Sequence, residues 1–184
     1  MADRTLVAYR REAGYDLHYA HDGVAPDALS PSVPFGGASD RDLSRVRDRL
    51  APLGIDLAPE RGGTAVDPVP LATGLAWDEV VAGLDYRAYD RCLRVAADWT
   101  VERFLVCYFG LGDRGGAERD PAGDGALVPL TGDEEPYAVG WFEGVKSAVA
   151  DAARCGLVDE AGARSYMAGR ARAFAGDREA HVGL

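Results

Sequence analysis

The sequence has little lysine and no long apolar run. Of its 20 basic residues, Lys146 is the only lysine and the others are arginines. No apolar stretch approaches the roughly 20 residues that a membrane-spanning helix needs. The N-terminus also lacks a basic region followed by an apolar signal segment. We therefore expect a cytoplasmic protein with no membrane partner.

Cysteine is scarce as well. The three cysteines are an odd number, lie beside apolar residues and show no CxxC spacing, so they are predicted to be buried thiols. They are Cys92, Cys107 and Cys155. No motif of a cofactor-binding loop or a metal site accompanies them. The sequence predicts neither a cofactor nor a metal ion.

Acidic residues are in excess. There are 30 of them against 20 basic residues, giving a net charge of -10. Such a surface repels itself in dilute buffer, but roughly 1 M salt shortens the screening length to about 3 Å. The surplus carboxylates can then hold hydrated cations. The composition therefore indicates a halophilic protein with an acidic surface, the alternative being a bias from high-GC coding.

Lowering the KCl concentration from molar to millimolar is expected to weaken the folded structure. At low salt the repulsion between surface carboxylates is no longer screened. Far-ultraviolet circular dichroism measures the resulting loss of secondary structure. A spectrum that does not change with KCl would contradict the halophilic interpretation.

The apolar pattern predicts a single α+β domain over residues 1–184, with a small antiparallel sheet built from two hairpins. Residues 15–19 alternate between apolar and polar side chains, and a short turn separates this segment from the mostly apolar residues 5–10, which is typical of a hairpin. A second hairpin is predicted to join a strand at about Leu93 to a buried central strand at residues 104–109.

Proline and glycine shape the remaining predictions. Residues 126–130 are predicted to form an edge strand, because Pro129 cannot donate a hydrogen bond to a neighbouring strand. The glycine- and aspartate-rich segment at about 112–125 has nothing to bury and is predicted to be mobile. Residues 55–74 are rich in proline and glycine and are predicted to be a connector.

Helical periodicity appears in three places. Two short helices are predicted, one from about Ser39 to Leu50 and one from about Trp77 to Leu84. The C-terminal fifty residues predict a helical hairpin, with Gly156 ending the first helix and Asp159 capping the second. This hairpin is expected to pack against the sheet.

Two stretches of the sequence carry a family resemblance. The first comprises residues 4–9 and 15–19, and the second comprises residues 77–80, 101–104 and 108–111. Together they resemble an uncharacterised haloarchaeal protein family of unknown function. The resemblance covers most of the chain. It implies the cytoplasm of a halophilic archaeon and assigns no catalytic residue.

The densest group of potential ligands is His18, His21 and Asp22, the only candidates for a catalytic or metal site. Residues three apart on a regular strand point to opposite faces, so the two histidines converge only if the chain turns at Ala20. No second group of cysteines or histidines has a matching spacing. Two interpretations stay open: polar side chains on the rim of a hairpin, or a small metal-dependent or hydrolase-like enzyme.

The C-terminal helix pair suggests a DNA-binding regulator, with Arg164, Arg170 and Arg172 on its second helix. At 100° per residue these arginines do not share one helix face. An acidic chain also lacks the positively charged surface that binds the phosphate backbone of a nucleic acid. We therefore do not expect a nucleic acid as the partner, and the regulator stays an alternative.

Aromatic residues on or beside the predicted strands suggest a contact surface, since an open sheet can present them to a partner. They are Tyr9, Tyr15, Tyr19, Trp99 and Tyr108; the alternative is that they form the core. No nucleophile motif such as GxSxG is present. By elimination, the leading hypothesis is a non-enzymatic binding or accessory module that acts through protein contacts, with a protein partner or as a homodimer.

Overall fold

A computed structural model describes residues 3–37, 48–54, 64–111 and 124–183. The strands in this part of the chain are β1 (Thr5–Arg11), β2 (Gly14–Ala20), β3 (Ala72–Leu75), β4 (Arg91–Val95), β5 (Val101–Tyr108), β6 (Gly125–Leu130) and β7 (His181–Gly183). The α-helices with described bounds are α1 (Trp77–Gly83), α2 (Glu135–Arg154) and α3 (Glu160–Ala175), and two short 3-10 helices cover Pro26–Ala28 and Ala51–Leu53. Residues 48–50 are also helical.

The strands form one seven-stranded sheet in the order β3-β2-β1-β4-β5-β6-β7. Both predicted hairpins are present, β1 with β2 and β4 with β5, and β5 is central as expected. The α+β class and the C-terminal helical hairpin are confirmed. The prediction of a small, purely antiparallel sheet is wrong, because β1 pairs with β4 in parallel, with Val7 opposite Leu93.

Three details explain that error. β3 is only four residues long and lies in the proline- and glycine-rich stretch that predicts a connector. β7 is only three residues long and follows a helix. The parallel pairing joins strands about eighty residues apart, and periodicity within a strand carries no information about such a partner.

The prediction of an edge strand at residues 126–130 is also wrong. β6 lies between β5 and β7. Pro129 is tolerated there because β7 is short and pairs only with residues Gly125 to Leu127. Pro129 therefore lies beyond the end of β7, where no strand on that side requires its missing N–H group.

The sheet curls around α1, which contacts both β2 and β7 although these strands are far apart in the sheet. Trp77, the first residue of α1, anchors this arrangement. Its ring centroid lies 5.3 Å from that of Tyr15, 5.8 Å from that of Phe104 and 5.6 Å from that of His181. The guanidinium carbon of Arg94 lies 4.6 Å from the Trp77 ring centroid. One indole therefore links β2, β4, β5 and β7.

The α2–α3 hairpin covers the other face of β5 and β6. Its buried side chains include Phe142 of α2 and Met167 of α3, which pack with Val128 and other residues of these strands. The turn between the helices follows the predicted pattern. Gly156 has φ +73°, and the Asp159 carboxylate accepts a hydrogen bond of 2.8 Å from a backbone N–H of α3.

Part of the predicted organisation lies outside the described residues. This applies to most of the helix at about 39–50, whose last residues, 48–50, are described and helical. It also applies to most of the segment at about 112–125, whose last residue begins β6. In the described ranges, no helix is long and apolar enough to cross a membrane.

The cysteine prediction holds for two residues and is wrong for the third. Cys92 and Cys107 are buried, and burial raises the pKa of the Cys92 thiol to about 12. Cys155 is exposed because it lies directly after the end of α2, beside the turn at Gly156. All three are free thiols.

Candidate functional site

The structure does not bring His18, His21 and Asp22 together. His18 is buried, with Nδ1 2.8 Å from the carbonyl oxygen of Asp67 and its ring packed on those of Tyr9 and Phe35. It lies on the face of the sheet that the loop at residues 24–37 covers. His18 therefore has the surroundings of a core histidine.

His21 and Asp22 are exposed beyond the end of β2. The Nδ1 atom of His21 lies 3.0 Å from the hydroxyl oxygen of Tyr19, a residue on the opposite sheet face from His18. In the part of the chain that the structure describes, no three Cys, His, Asp or Glu side chains form a group able to hold a metal ion.

The aromatic residues predicted on the strands contribute mainly to packing. Tyr9 is buried, and its hydroxyl donates a 2.5 Å hydrogen bond to the carbonyl oxygen of Pro34. Tyr15, Tyr19, Trp99 and Tyr108 are only partly buried. Tyr108 differs from the others because two cations lie against its ring.

The arginines of α3 do not form one basic surface. Arg164 is partly buried and donates a 2.8 Å hydrogen bond to Asp124, and it also lies 3.3 Å from Glu160. Arg170 and Arg172 are exposed on the same helix. The carboxylates therefore neutralise one of the three arginines on which a DNA contact would depend.

A cleft of about 680 Å³ lies between β5, α2 and the chain that leads into β4. We call it the lysine cleft, because Lys146 of α2, the only lysine of the chain, lines it. Tyr108 of β5 and Arg87 line the same end, and Val139 and Phe142 of α2 form an apolar wall. Its volume is within the range of small-molecule sites.

Tyr108 organises the cationic end of the lysine cleft. The Lys146 ammonium donates a 2.9 Å hydrogen bond to the Tyr108 carbonyl oxygen and lies 4.7 Å from the centroid of the Tyr108 ring. The guanidinium carbon of Arg87 lies 5.8 Å from the same centroid. Two cations therefore share one aromatic ring, an arrangement that the quadrupole of the ring stabilises.

The other arginines of the cleft already have carboxylate partners. Arg4 donates a 3.2 Å hydrogen bond from Nε to Asp90 and a 3.0 Å hydrogen bond from its backbone N–H. Arg91 forms ion pairs with both Asp3 and Glu135. Arg4 holds the pKa of Asp90 below its ordinary value, outweighing the opposing effect of burial.

Lys146 and Arg87 have no such partner in the part of the chain that the structure describes. Among the described residues, neither side chain has a carboxylate oxygen within 4.0 Å. The ammonium has three donors and uses one of them on Tyr108, and the Arg87 guanidinium donates no hydrogen bond to a described residue. Two cations with donors that no described residue occupies therefore face the same cleft.

Partial burial lowers the pKa of Lys146 below its ordinary value, although Glu143 and Asp124 act in the opposite direction. The charged ammonium is therefore less favourable here than in water. Keeping Lys146 charged in the folded state reduces the free energy of unfolding. Ionisable groups with such shifts are concentrated at functional sites.

A comparison with known protein families matches residues 1–182 to a Family of unknown function (DUF6735). The chain belongs to this family. The expectation of an uncharacterised family is thereby confirmed, while the haloarchaeal source stays a prediction. No curated protein and no solved structure matches the chain.

Sequence reasoning missed the lysine cleft, although one signal for it was present. In a chain that otherwise uses arginine for its basic residues, a single lysine marks a position with different requirements. Arg87 and Tyr108 gave no comparable signal. Their proximity to Lys146 depends on how α2 packs on β5, which no local pattern reveals.

Sequence reasoning also missed His181, which lies on β7. The indole N–H of Trp77 donates a 3.2 Å hydrogen bond to Nε2 of His181, so this nitrogen is unprotonated and the neutral ring carries its proton on Nδ1. Partial burial lowers the pKa of His181 below its ordinary value. The Trp77–His181 pair therefore joins α1 to β7 through a hydrogen bond that requires the neutral form of His181.

Proposed function

We propose that the protein is a binding module whose lysine cleft takes an anionic group. One observation supports this proposal above all: Lys146 and Arg87 lie on the Tyr108 ring with no carboxylate partner among the described residues. Because the other arginines of the cleft are paired, an incoming anion would complete the charge pairing at this end.

The choice of lysine rather than arginine fits this role. The ammonium is compact, and the hydrogen bond to the Tyr108 carbonyl holds it in place without occupying its other two donors. A cation that is positioned before the ligand arrives loses little conformational entropy on binding. The net charge of -10 would otherwise repel anions, so a local cationic site is needed to attract one.

Titration of the protein with sodium octanoate tests this proposal, with isothermal calorimetry as the measurement at a fixed KCl concentration. We expect Lys146→Met to weaken binding about tenfold or more, because it removes a charged hydrogen-bond donor and keeps the apolar stem. Lys146→Arg should restore part of the affinity. Arg154→Met, which removes an exposed cation at the end of the same helix, is the matched control.

Three results would reject the proposal. They are no binding of octanoate, acetate or inorganic phosphate, binding that Lys146→Met leaves unchanged, and binding that Arg154→Met weakens equally. In the last case, the total charge of the protein rather than the lysine cleft would determine the affinity.

A second candidate function is a protein contact, which the outer surface of the α2–α3 hairpin favours. Tyr137 is 70% exposed, and its ring stacks on Phe174, which in turn lies 4.3 Å from Trp141 between ring centroids. Exposed aromatic side chains are enriched in protein interfaces. Light scattering of the wild type and of Tyr137→Ser tests whether the protein forms a homodimer through this surface. A monomer at every protein concentration would reject it.

A further inference from the structure

The lysine cleft contains an apolar wall beside its cationic end, and this combination restricts the class of ligand. Val139 and Phe142 of α2 and Leu105 of β5 line the cleft. Val139 is 40% exposed, so its side chain still has apolar surface to cover. A small inorganic anion would leave this wall in contact with water, whereas an apolar group attached to the anion would cover it.

The charges of the cleft limit the charge of the ligand. Arg4 and Asp90 neutralise each other, and Arg91 is placed between two carboxylates. At the other end Lys146 and Arg87 face the carboxylate of Glu143. Asp124 also acts on Lys146 but is paired with Arg164, so the described residues leave a local surplus of one positive charge. One negative charge balances this surplus, and a second would be repelled by Glu143.

Building on the proposed function, we infer that the ligand is an amphipathic monocarboxylate. Its carboxylate accepts hydrogen bonds from the Lys146 ammonium and the Arg87 guanidinium. Its apolar body lies along Val139 and Phe142. A carboxylate suits this position because its two oxygens can accept from two separate donors at once.

Calorimetric titrations with three probes test this inference: octanoate, acetate and inorganic phosphate, all at the same KCl concentration. Octanoate is expected to bind about tenfold or more tightly than acetate, because burying even a few methylene groups supplies that difference. Phosphate is expected to bind more weakly than octanoate. Equal affinities for octanoate and acetate would overturn the inference, and so would phosphate binding as tightly as octanoate.

Variants of the apolar wall provide an independent measurement. Val139→Ser should weaken octanoate binding about threefold or more and leave acetate binding unchanged, because only the longer probe reaches this side chain. Val69→Ser is the matched control, since Val69 is 69% exposed and does not line the cleft. Octanoate affinity that Val139→Ser leaves unchanged would overturn the inference.

These outcomes separate the inference from the proposed function. If all three anions bind through Lys146 with similar affinity, the anion site stands and the amphipathic ligand is wrong. If Lys146→Met changes the binding of none of them, both the proposed function and the inference fail.

Discussion

Replacing Gly125 with alanine is expected to destabilise the protein by about 3 kcal/mol, the upper end of the cost of overpacking a well-packed core. Gly125 begins β6 and pairs with Tyr108 of β5. A Cβ atom at this position would overlap the ring of Tyr86 and would lie 2.5 Å from the carbonyl oxygen of Cys107. Tyr86 is buried, and its hydroxyl donates a 3.2 Å hydrogen bond to the carbonyl oxygen of Val81, so a shift of its ring would strain this hydrogen bond.

Urea unfolding at fixed KCl measures this effect, with Gly169→Ala as the control. Gly169 lies inside α3, and a Cβ atom there would meet nothing within 4 Å. Alanine is the better helix former, so this control should be more stable than the wild type by about 0.5–1 kcal/mol. If Gly125→Ala unfolds at the same urea concentration as the wild type, Tyr86 does not pack on β6 as described.

Replacing Trp77 with alanine is expected to lower the free energy of unfolding by about 3 kcal/mol. The indole packs on rings from three strands, and the Arg94 guanidinium lies against it. Because α1 lies inside the curled sheet and contacts β7, removal of the indole should also make the backbone hydrogen bonds of β7 open more often. Hydrogen exchange of the backbone amides at residues 181–183 measures this loosening. Unchanged exchange there would contradict the role of Trp77 in holding β7.

The Trp77–His181 contact should also make stability depend on pH. The folded state lowers the pKa of His181 below its ordinary value of 6.5, so folding favours the neutral ring. As the pH falls below about 6.5, the unfolded chain takes up a proton that the folded chain resists, and the free energy of unfolding decreases. The charged residues acting on His181 are Glu179, Arg94, Asp78 and Glu102.

Urea unfolding between pH 7.5 and pH 5, a range chosen to span the ordinary histidine pKa, tests this expectation. His181→Gln should lose less stability on acidification than the wild type. Trp77→Phe, which keeps a ring but removes the N–H donor to Nε2, should also lose less. His21→Gln is the control, since His21 is exposed. An acid-induced loss that is the same in all four proteins would show that His181 does not titrate as described.

The sequence allowed the local elements to be predicted better than their arrangement. Residues 15–19 alternate strictly enough to identify β2, and Gly156 and Asp159 marked the turn between α2 and α3. β3 and β7 were missed because a strand of three or four residues has too few alternations to establish a period. The parallel pairing of β1 with β4 depends on contacts far apart in sequence.

The candidate site was harder to predict for a related reason. His18, His21 and Asp22 are close in sequence, but the alternation of β2 directs His18 and Tyr19, the partner of His21, to opposite faces. Lys146, Arg87 and Tyr108 are far apart in sequence and come together through the packing of α2 on β5. The lone lysine was visible in the composition, but its neighbours required the fold.

Nuclear magnetic resonance of protein labelled with ¹³C and ¹⁵N only in lysine tests the proposed site most directly, because Lys146 gives the single side-chain signal. We predict that this signal titrates below the ordinary lysine pKa and shifts saturably on addition of octanoate. A signal that titrates as an exposed lysine and does not respond to octanoate would contradict both the burial of Lys146 and the anion site.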